Sequence, residues 1–362
     1  MSRVVYIHVG APKTGTSYLQ DRLALNRNEL ARHDVHYPLG LFASQFQAAL
    51  DLIDVPWGGV REQARGEWAS LVGRVRRQQG TVLISHEILA AATASQVEQA
   101  MADLEDSEIH LVYSARDLAR QIPAEWQEGT KHGGRVKFAR FLTKVQSAPR
   151  SNPDLWFWRV QGLPDVLGRW SRGLPPERVH LVTVPRPGAP RDLLWSRFCT
   201  VFGIDEAWAP EDSERFNNSI GTAETALLRR LNRRLRKQID RPAYDTLVRQ
   251  LVVHETLAGR DAMTMATLPP AMFPWVNEVT EEWVEWVEGS GIDVVGDVDE
   301  LRPVQPAADR QWVDPDRPNR GDVLDAAMDA LVAMTKEAAA RPDPNDQITA
   351  KIGRAARRLR GQ

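Results

Sequence analysis

The feature that most constrains the fold of this chain lies at its start, where an apolar run leads through a glycine-flanked loop into an amphipathic segment. Residues Val4 to Val9 are nearly all apolar or β-branched, as expected of a strand that is buried on both faces of a parallel sheet. Gly10 and Gly15 allow the backbone to turn tightly around a bound group. The helix that opens near Thr16 points its unpaired N–H groups and the positive end of its dipole at this loop. The sequence therefore predicts a strand, an anion-binding loop and a helix.

The side chains of the loop also favour an anion. Lys13 adds a full positive charge, and Thr14, Thr16 and Ser17 offer hydroxyl donors. A phosphate or a sulfate group suits such a set of donors. The alternative is an ordinary corner between a strand and a helix that carries a surface lysine.

The position of the lysine separates this loop from that of the nucleotide kinases. A Walker A loop reads G-x-x-x-x-G-K-[ST], and Gly10 and Gly15 have its spacing, but Thr16 stands where the kinases keep their lysine. The string Pro12-Lys-Thr-Gly-Thr-Ser-Tyr-Leu19 instead resembles the 5′-phosphosulfate loop of the sulfotransferases that use 3′-phosphoadenosine 5′-phosphosulfate (PAPS). This resemblance implies a P-loop α/β fold, PAPS as the sulfuryl donor, a site built from Lys13, Thr14, Gly15, Thr16 and Ser17, and no metal.

Three further short apolar runs indicate strands of the same sheet, and helical periodicity separates them. They span residues 81–85, 109–114 and 179–184. This alternation predicts an α/β fold in which a parallel sheet of the P-loop type is flanked by helices. In such sheets ligands bind beyond the carboxyl ends of the strands, so those ends are the candidate site.

The second predicted strand ends in His86-Glu87. Sulfuryl transfer to a hydroxyl or an amine needs a base that takes the proton of the acceptor. Ser85-His-Glu87 looks like the Ser-x-Glu string of several bacterial sulfotransferases, which implies Glu87 as the catalytic base, with His86 as the second choice. In the alternative interpretation, Glu87 merely caps the next helix and His86 packs.

The third predicted strand is followed by Arg116, whose guanidinium fork suits a phosphate. In the resembling family an arginine here and a serine eight positions later hold the 3′-phosphate of the nucleotide. Here Ala124 stands in place of the serine, so Gln121, Arg120 or a water would have to replace the missing hydrogen bond. A salt bridge to a neighbouring carboxylate is the alternative role of Arg116.

The C-terminal part of the chain differs in composition. Prolines among charges in Arg302 to Asn319 predict a linker or a strap. We expect a sulfotransferase-like domain over residues 1–295 and a C-terminal extension over residues 296–362. Val323 to Ala340 and the basic stretch Ile348 to Arg360 are predicted to be helical.

The composition limits the other partners. A formal net charge of −2 over 362 residues gives no general attraction to nucleic acid. One cysteine fits a reducing compartment, and no run approaches the length of a transmembrane helix. We therefore expect a cytoplasmic protein without a transmembrane segment. The resemblance to the sulfotransferases implies a small-molecule or glycan acceptor.

Two other functions stay open at this stage. A nucleotide-dependent P-loop kinase would need a lysine after Gly15 and an acidic Mg²⁺ ligand, for which Asp117 is a poor candidate because it follows Arg116. A non-catalytic nucleotide-binding protein on the same scaffold would be explained by the loss of the serine at Ala124. The oligomeric state and the identity of the acceptor are left open.

Overall fold

The described residues, 3–39, 45–213, 219–236, 238–307 and 311–341 of a computed structural model, include one six-stranded sheet. The strands are β1 (Val4–His8), β2 (Val35–His36), β3 (Thr81–Ser85), β4 (Glu108–Ala115), β5 (Val179–Thr183) and β6 (Asp293–Val295). They are hydrogen-bonded in the order β2-β3-β1-β4-β5-β6, and every neighbouring pair is parallel. The predicted fold class, α/β with a parallel sheet flanked by helices, is confirmed.

Side chains of the strands alternate between two hydrophobic clusters, one on each face of the sheet. Val5 and Ile7 of β1 belong to one cluster, whereas Leu83 of β3 and Val112 of β4 belong to the other. Each of these four side chains is at most 1% exposed. Helices therefore cover both faces, which is usual for parallel sheets.

Helices make up most of the rest of the described chain. They are α1 (Thr16–Leu25), α2 (Arg27–Arg32), α3 (Phe46–Ile53), α4 (Arg61–Ala64), α5 (Glu67–Arg76), α6 (Ala94–Asp103), α7 (Leu118–Lys131), α8 (Phe138–Ser147), α9 (Trp156–Gln161), α10 (Leu163–Trp170), α11 (Leu193–Phe202), α12 (Thr222–Arg234), α13 (Arg241–Ala243), α14 (Phe273–Ser290) and α15 (Arg320–Ala340). A 3₁₀ turn, Glu87–Ala91, directly follows β3, and a π-helical segment spans Tyr244–Thr256. No helix among the described residues is long and apolar enough to cross a membrane.

The chain divides into two compact units. The first comprises Met1–Gly129, Val136–Asn217 and Ala266–Asp314 and contains the sheet. The second comprises Thr130–Arg135, Asn218–Met265 and Pro315–Gln362. The boundary expected after residue 295 stays a prediction.

The second unit is helical and has an apolar cluster of its own. Leu228 of α12 and Val253 of the π-helical segment are fully buried in it, and Ala326 of α15 joins them. Helix α15 confirms the helix predicted from Val323 to Ala340. The helix predicted from Ile348 to Arg360 lies outside the described residues.

Candidate anion-binding site

The loop between β1 and α1 adopts backbone conformations that favour glycine. Gly10 has a φ of 132°, and Gly15, the N-cap of α1, has a φ of 92°. A Cβ at Gly10 would lie 3.0 Å from the carbonyl oxygen of Glu87, and one at Gly15 would lie 2.5 Å from Leu194 Cδ2. Lys13 also has a left-handed φ of 65°, which costs a residue with a Cβ roughly 1–2 kcal/mol. The shape of the loop therefore requires both glycines.

The first turn of α1 provides hydrogen-bond donors for a ligand. The first N–H groups of a helix have no acceptor within the helix, and Gly15 has no side chain that caps them. In the described part of the chain, neither the Thr16 hydroxyl nor the Ser17 hydroxyl makes a hydrogen bond. These amides and hydroxyls, together with the positive end of the helix dipole, form a donor set that suits an anion.

Thr14 and a buried histidine hold the loop in place. The Thr14 hydroxyl donates to the carbonyl oxygen of Ala11 at 2.5 Å and lies 2.6 Å from Ser114 Oγ. His8, at the end of β1, has Nε2 3.2 Å from Ser114 Oγ and Nδ1 2.8 Å from Ser85 Oγ. Burial lowers the pKa of His8 to about 4, so the ring is neutral and one nitrogen donates while the other accepts. Because its hydroxyl is used within the loop, Thr14 is left with its backbone N–H for a ligand.

Lys13 lies among carboxylates. Its Nζ donates to Glu128 Oε2 at 2.7 Å. Glu125 precedes Glu128 by one turn on α7, and its Oε1 accepts a hydrogen bond from Gln161 Nε2 at 3.2 Å. The same nitrogen donates to the carbonyl oxygen of Pro12 at 3.0 Å. Burial raises the pKa of Glu125 to about 7; Lys13 opposes this rise and Glu128 adds to it.

Arg116 follows β4 and is connected to the loop by a glutamine. Its Nε donates to Gln121 Oε1 at 2.9 Å, and Gln121 Nε2 donates to the Pro12 carbonyl oxygen at 2.5 Å. Burial lowers the pKa of Arg116 to about 10, and Arg120 adds to the effect, so the guanidinium stays charged at neutral pH. The alternative role of Arg116 was a salt bridge to a neighbouring carboxylate. The adjacent carboxylate, Asp117, pairs with Arg120 instead.

Of the two side chains that were considered as replacements for the missing serine, Gln121 is fully engaged and Arg120 is engaged in part. Both ends of the Gln121 amide make hydrogen bonds. Arg120 Nη1 donates to the Pro185 carbonyl oxygen at 3.2 Å, whereas its Nη2 is buried with no partner in the part of the chain that the structure describes. Ala124 lies on α7, eight positions after Arg116, and its methyl group offers no hydrogen bond. Arg120, which precedes Ala124 by about one turn of α7, therefore has one buried donor without a partner among the described residues.

Glu87 and His86 occupy different environments at the end of β3. His86 Nδ1 accepts a hydrogen bond from the Ile88 amide at 3.3 Å, so His86, and not Glu87, caps the 3₁₀ turn. Glu87 Oε2 accepts from Gln20 Nε2 of α1 at 3.0 Å and lies 3.8 Å from His86 Nδ1. Burial raises the pKa of Glu87, but His86 and the hydrogen bond from Gln20 outweigh it and hold this pKa below its ordinary value. Burial lowers the pKa of His86, and Glu87 only partly offsets the effect.

The sheet places the predicted residues along one edge. His8 of β1 is in register with Ser85 of β3 and Val112 of β4. Lys13 and Glu87 therefore follow neighbouring strands, and the Gly10 and Glu87 backbones approach each other as described above. Arg116 follows β4 and is linked to Pro12 of the loop through Gln121.

Four residues of the site were not identified from the sequence. Glu125, Glu128, Gln161 and His8 each contact the loop or the residues that hold it. A histidine inside an otherwise apolar strand and two glutamates spaced three apart on the helix after β4 were the available signals.

Comparisons with known proteins show similarity to solved structures. No protein-family model matches the chain, and no curated protein matches it. Among solved structures, it is similar to a sulfotransferase from Alicyclobacillus acidocaldarius, at 16% identity and a TM-score of 0.39, over 66% of this chain and 97% of that one. It is also similar to the sulfotransferase domain from the curacin biosynthetic pathway, at 11% identity and a TM-score of 0.31, over 56% of this chain and 74% of that one. At such identities the function has to be inferred from the residues of this chain.

Proposed function

We propose that this protein is a sulfotransferase that transfers a sulfuryl group from PAPS to a hydroxyl or an amine of an acceptor. One observation carries the proposal. Gln121 hydrogen-bonds both to Arg116 and to the carbonyl of Pro12, the residue before Lys13. Arg116 is thus tied to the loop that carries Lys13 and leads into α1, and this arrangement suits a ligand that has anionic groups at two separate places.

The residues fit the groups of such a nucleotide. The backbone N–H groups of Thr14 to Ser17 and the hydroxyls of Thr16 and Ser17 would hold the 5′-phosphate. Arg116 would hold the 3′-phosphate. The orphaned Nη2 of Arg120 supports an anion there, because a buried donor without a partner costs about 1–3 kcal/mol.

The proposed roles in the transfer follow from charge. As the acceptor oxygen or nitrogen forms its bond to sulfur, the bond between sulfur and the bridging oxygen breaks, and adenosine 3′,5′-bisphosphate leaves. Lys13 would neutralise the negative charge that develops on that bridging oxygen. Glu87, which is ionised at neutral pH, would take the proton of the acceptor; His86 is the second candidate.

The rival interpretation, a kinase, loses support from the neighbourhood of Arg116. A kinase needs a carboxylate that is free to hold Mg²⁺. Asp117 is instead paired with Arg120 and also accepts a hydrogen bond from the Arg120 amide at 2.9 Å.

The test is a calorimetric titration with adenosine 3′,5′-bisphosphate, set beside 5′-AMP, ADP and ATP with Mg²⁺. We expect the bisphosphate to bind at least roughly tenfold more tightly than 5′-AMP, because a phosphate–arginine pair contributes about 1.5–3 kcal/mol. Preference for ATP would favour the kinase, and failure to bind any of the four nucleotides would overturn the proposal.

A variant of the loop lysine makes the test specific. Lys13→Ala should weaken bisphosphate binding and lower the release of bisphosphate from PAPS by orders of magnitude. Lys144→Ala removes the same charge from an exposed position of α8 and should behave as the wild type. Unchanged turnover in Lys13→Ala would contradict the assignment.

A further inference from the structure

Glu125 is a carboxyl group that the proposed chemistry does not use, although it lies beside the loop. It is partly buried on α7. The Gln161 side-chain amide holds it, since Nε2 donates to Glu125 Oε1 at 3.2 Å and to the Pro12 carbonyl oxygen at 3.0 Å. The carboxyl is thus fixed next to the residue that precedes Lys13.

The charged and titratable groups around Glu125 come from every element packed against it. Lys13 faces it from the loop, Glu128 from α7, Arg116 from the segment after β4 and Tyr113 from β4 itself. Lys13 is the cation that opposes the rise in the pKa of Glu125 most strongly, and it also pairs with Glu128 at 2.7 Å. The pKa of about 7 means that roughly half of the Glu125 carboxyls are ionised at neutral pH.

An anion at the loop changes this balance in one direction. A phosphate or a sulfate held by the amides of α1 adds negative charge near Glu125. The negative charge of the anion also offsets the positive charge of Lys13, which otherwise favours the ionised form of the Glu125 carboxyl. Both effects favour the protonated form of Glu125.

We propose that Glu125 takes up a proton from solvent when an anion binds at the loop, and that nucleotide affinity is thereby coupled to pH. The inference rests on the proposed function for its ligand, adenosine 3′,5′-bisphosphate, and on the cluster of Glu125, Lys13 and Glu128 for its mechanism. By linkage, the ligand binds more weakly as the pH rises above neutrality, because the proton must then be supplied against a lower proton activity.

The direct test counts protons. Titrations with the bisphosphate at about pH 7.5, in buffers of different ionisation enthalpy, give the number of protons taken up on binding. The wild type should gain as much as roughly 0.7 proton more than Glu125→Gln, because that fraction of a group with a pKa near 7 is ionised at this pH. The protonation of the ligand itself is common to both proteins and cancels in the difference. Glu285→Gln, at an exposed position of α14, should match the wild type.

The same pair of proteins gives a second readout. Between about pH 7 and pH 8.5 the wild-type affinity should fall several-fold more than that of Glu125→Gln. A merely structural role of Glu125 would lower the affinity of the variant at every pH without changing the proton count.

The outcomes separate this inference from the proposed function. Bisphosphate binding with equal proton counts in wild type and Glu125→Gln overturns the inference alone. Failure of the bisphosphate to bind overturns the function, and inorganic sulfate then serves as the probe. In that case the thermal stabilisation by sulfate should be greater at about pH 6 than at pH 8 in the wild type and less pH-dependent in Glu125→Gln. No sulfate effect, or an equal one in both proteins, overturns the inference as well.

Discussion

Glu125→Gln should make the folded protein more stable above neutral pH and leave it unchanged in acid. Burial raises the pKa of Glu125 from its ordinary value of 4.5 to about 7, so the folded state binds this proton more tightly than the unfolded state. The contribution of Glu125 to the free energy of unfolding is therefore fully present below about pH 4.5 and is progressively lost as the pH rises through 7. The substituted amide carries no charge and stays free of this loss.

The magnitude follows from the two pKa values. Each pKa unit corresponds to about 1.4 kcal/mol, so the variant should gain up to about 3 kcal/mol at pH 8 and close to nothing below pH 4.5. The side-chain carbonyl of the substituted glutamine can still accept the hydrogen bond from Gln161, which keeps the comparison isosteric. A gain of this size is large against the typical stability of a domain.

Urea denaturation followed by tryptophan fluorescence is a suitable assay, since the chain has 12 tryptophans. Wild type, Glu125→Gln and the exposed control Glu285→Gln would be compared at about pH 4.5, 6 and 8. A gain that is the same at every pH would show that packing and not ionisation is responsible. No gain at pH 8 would refute the reasoning.

Two further changes test the loop and the helix after β4. Ala124→Ser restores a hydroxyl eight positions after Arg116, and it should tighten bisphosphate binding about 2- to 10-fold through one hydrogen bond; equal affinity by calorimetry would mean that another group already makes the contact. Gly15→Ala places a Cβ 2.5 Å from Leu194 Cδ2 at a φ of 92°, and it should cost about 1–3 kcal/mol in urea denaturation. Gly168→Ala, where a Cβ meets nothing within 4 Å, is its control, and equal effects of the two alanines would contradict the role of the turn.

Much of the sheet was predictable because most residues of its inner strands are apolar. The apolar runs that correspond to β1, β3, β4 and β5 are long enough to be recognised as strands in the sequence. The edge strands were missed. Val35–His36 and Asp293–Val295 have two and three residues, so they present no periodicity, and an edge strand needs fewer apolar side chains than a central one.

The loop could be predicted because its residues are contiguous, whereas its surroundings could not. The Lys13 partner Glu128 lies 115 positions away along the chain, and Gln161 lies 149 positions from Pro12. Only the crossing of α7 and α9 at the carboxyl edge of the sheet brings them together. Local patterns therefore predict a candidate anion-binding loop but not the carboxylates that lie beside its lysine.

The hydrogen bonds also distinguish Glu87 from His86, the first and second candidates for the base in the sequence analysis. His86 uses Nδ1 to accept a hydrogen bond from the Ile88 amide, so its other nitrogen carries the proton, and it cannot take another without giving up the cap. Glu87 is held below its ordinary pKa and is ionised at neutral pH, while burial holds the pKa of Glu125 near 7. Two carboxyls whose environments push their pKa values apart are suited to different roles. Within the proposed function, this difference is consistent with Glu87 as the proposed acceptor of the substrate proton and with Glu125 as the group proposed to adjust its charge to a bound anion.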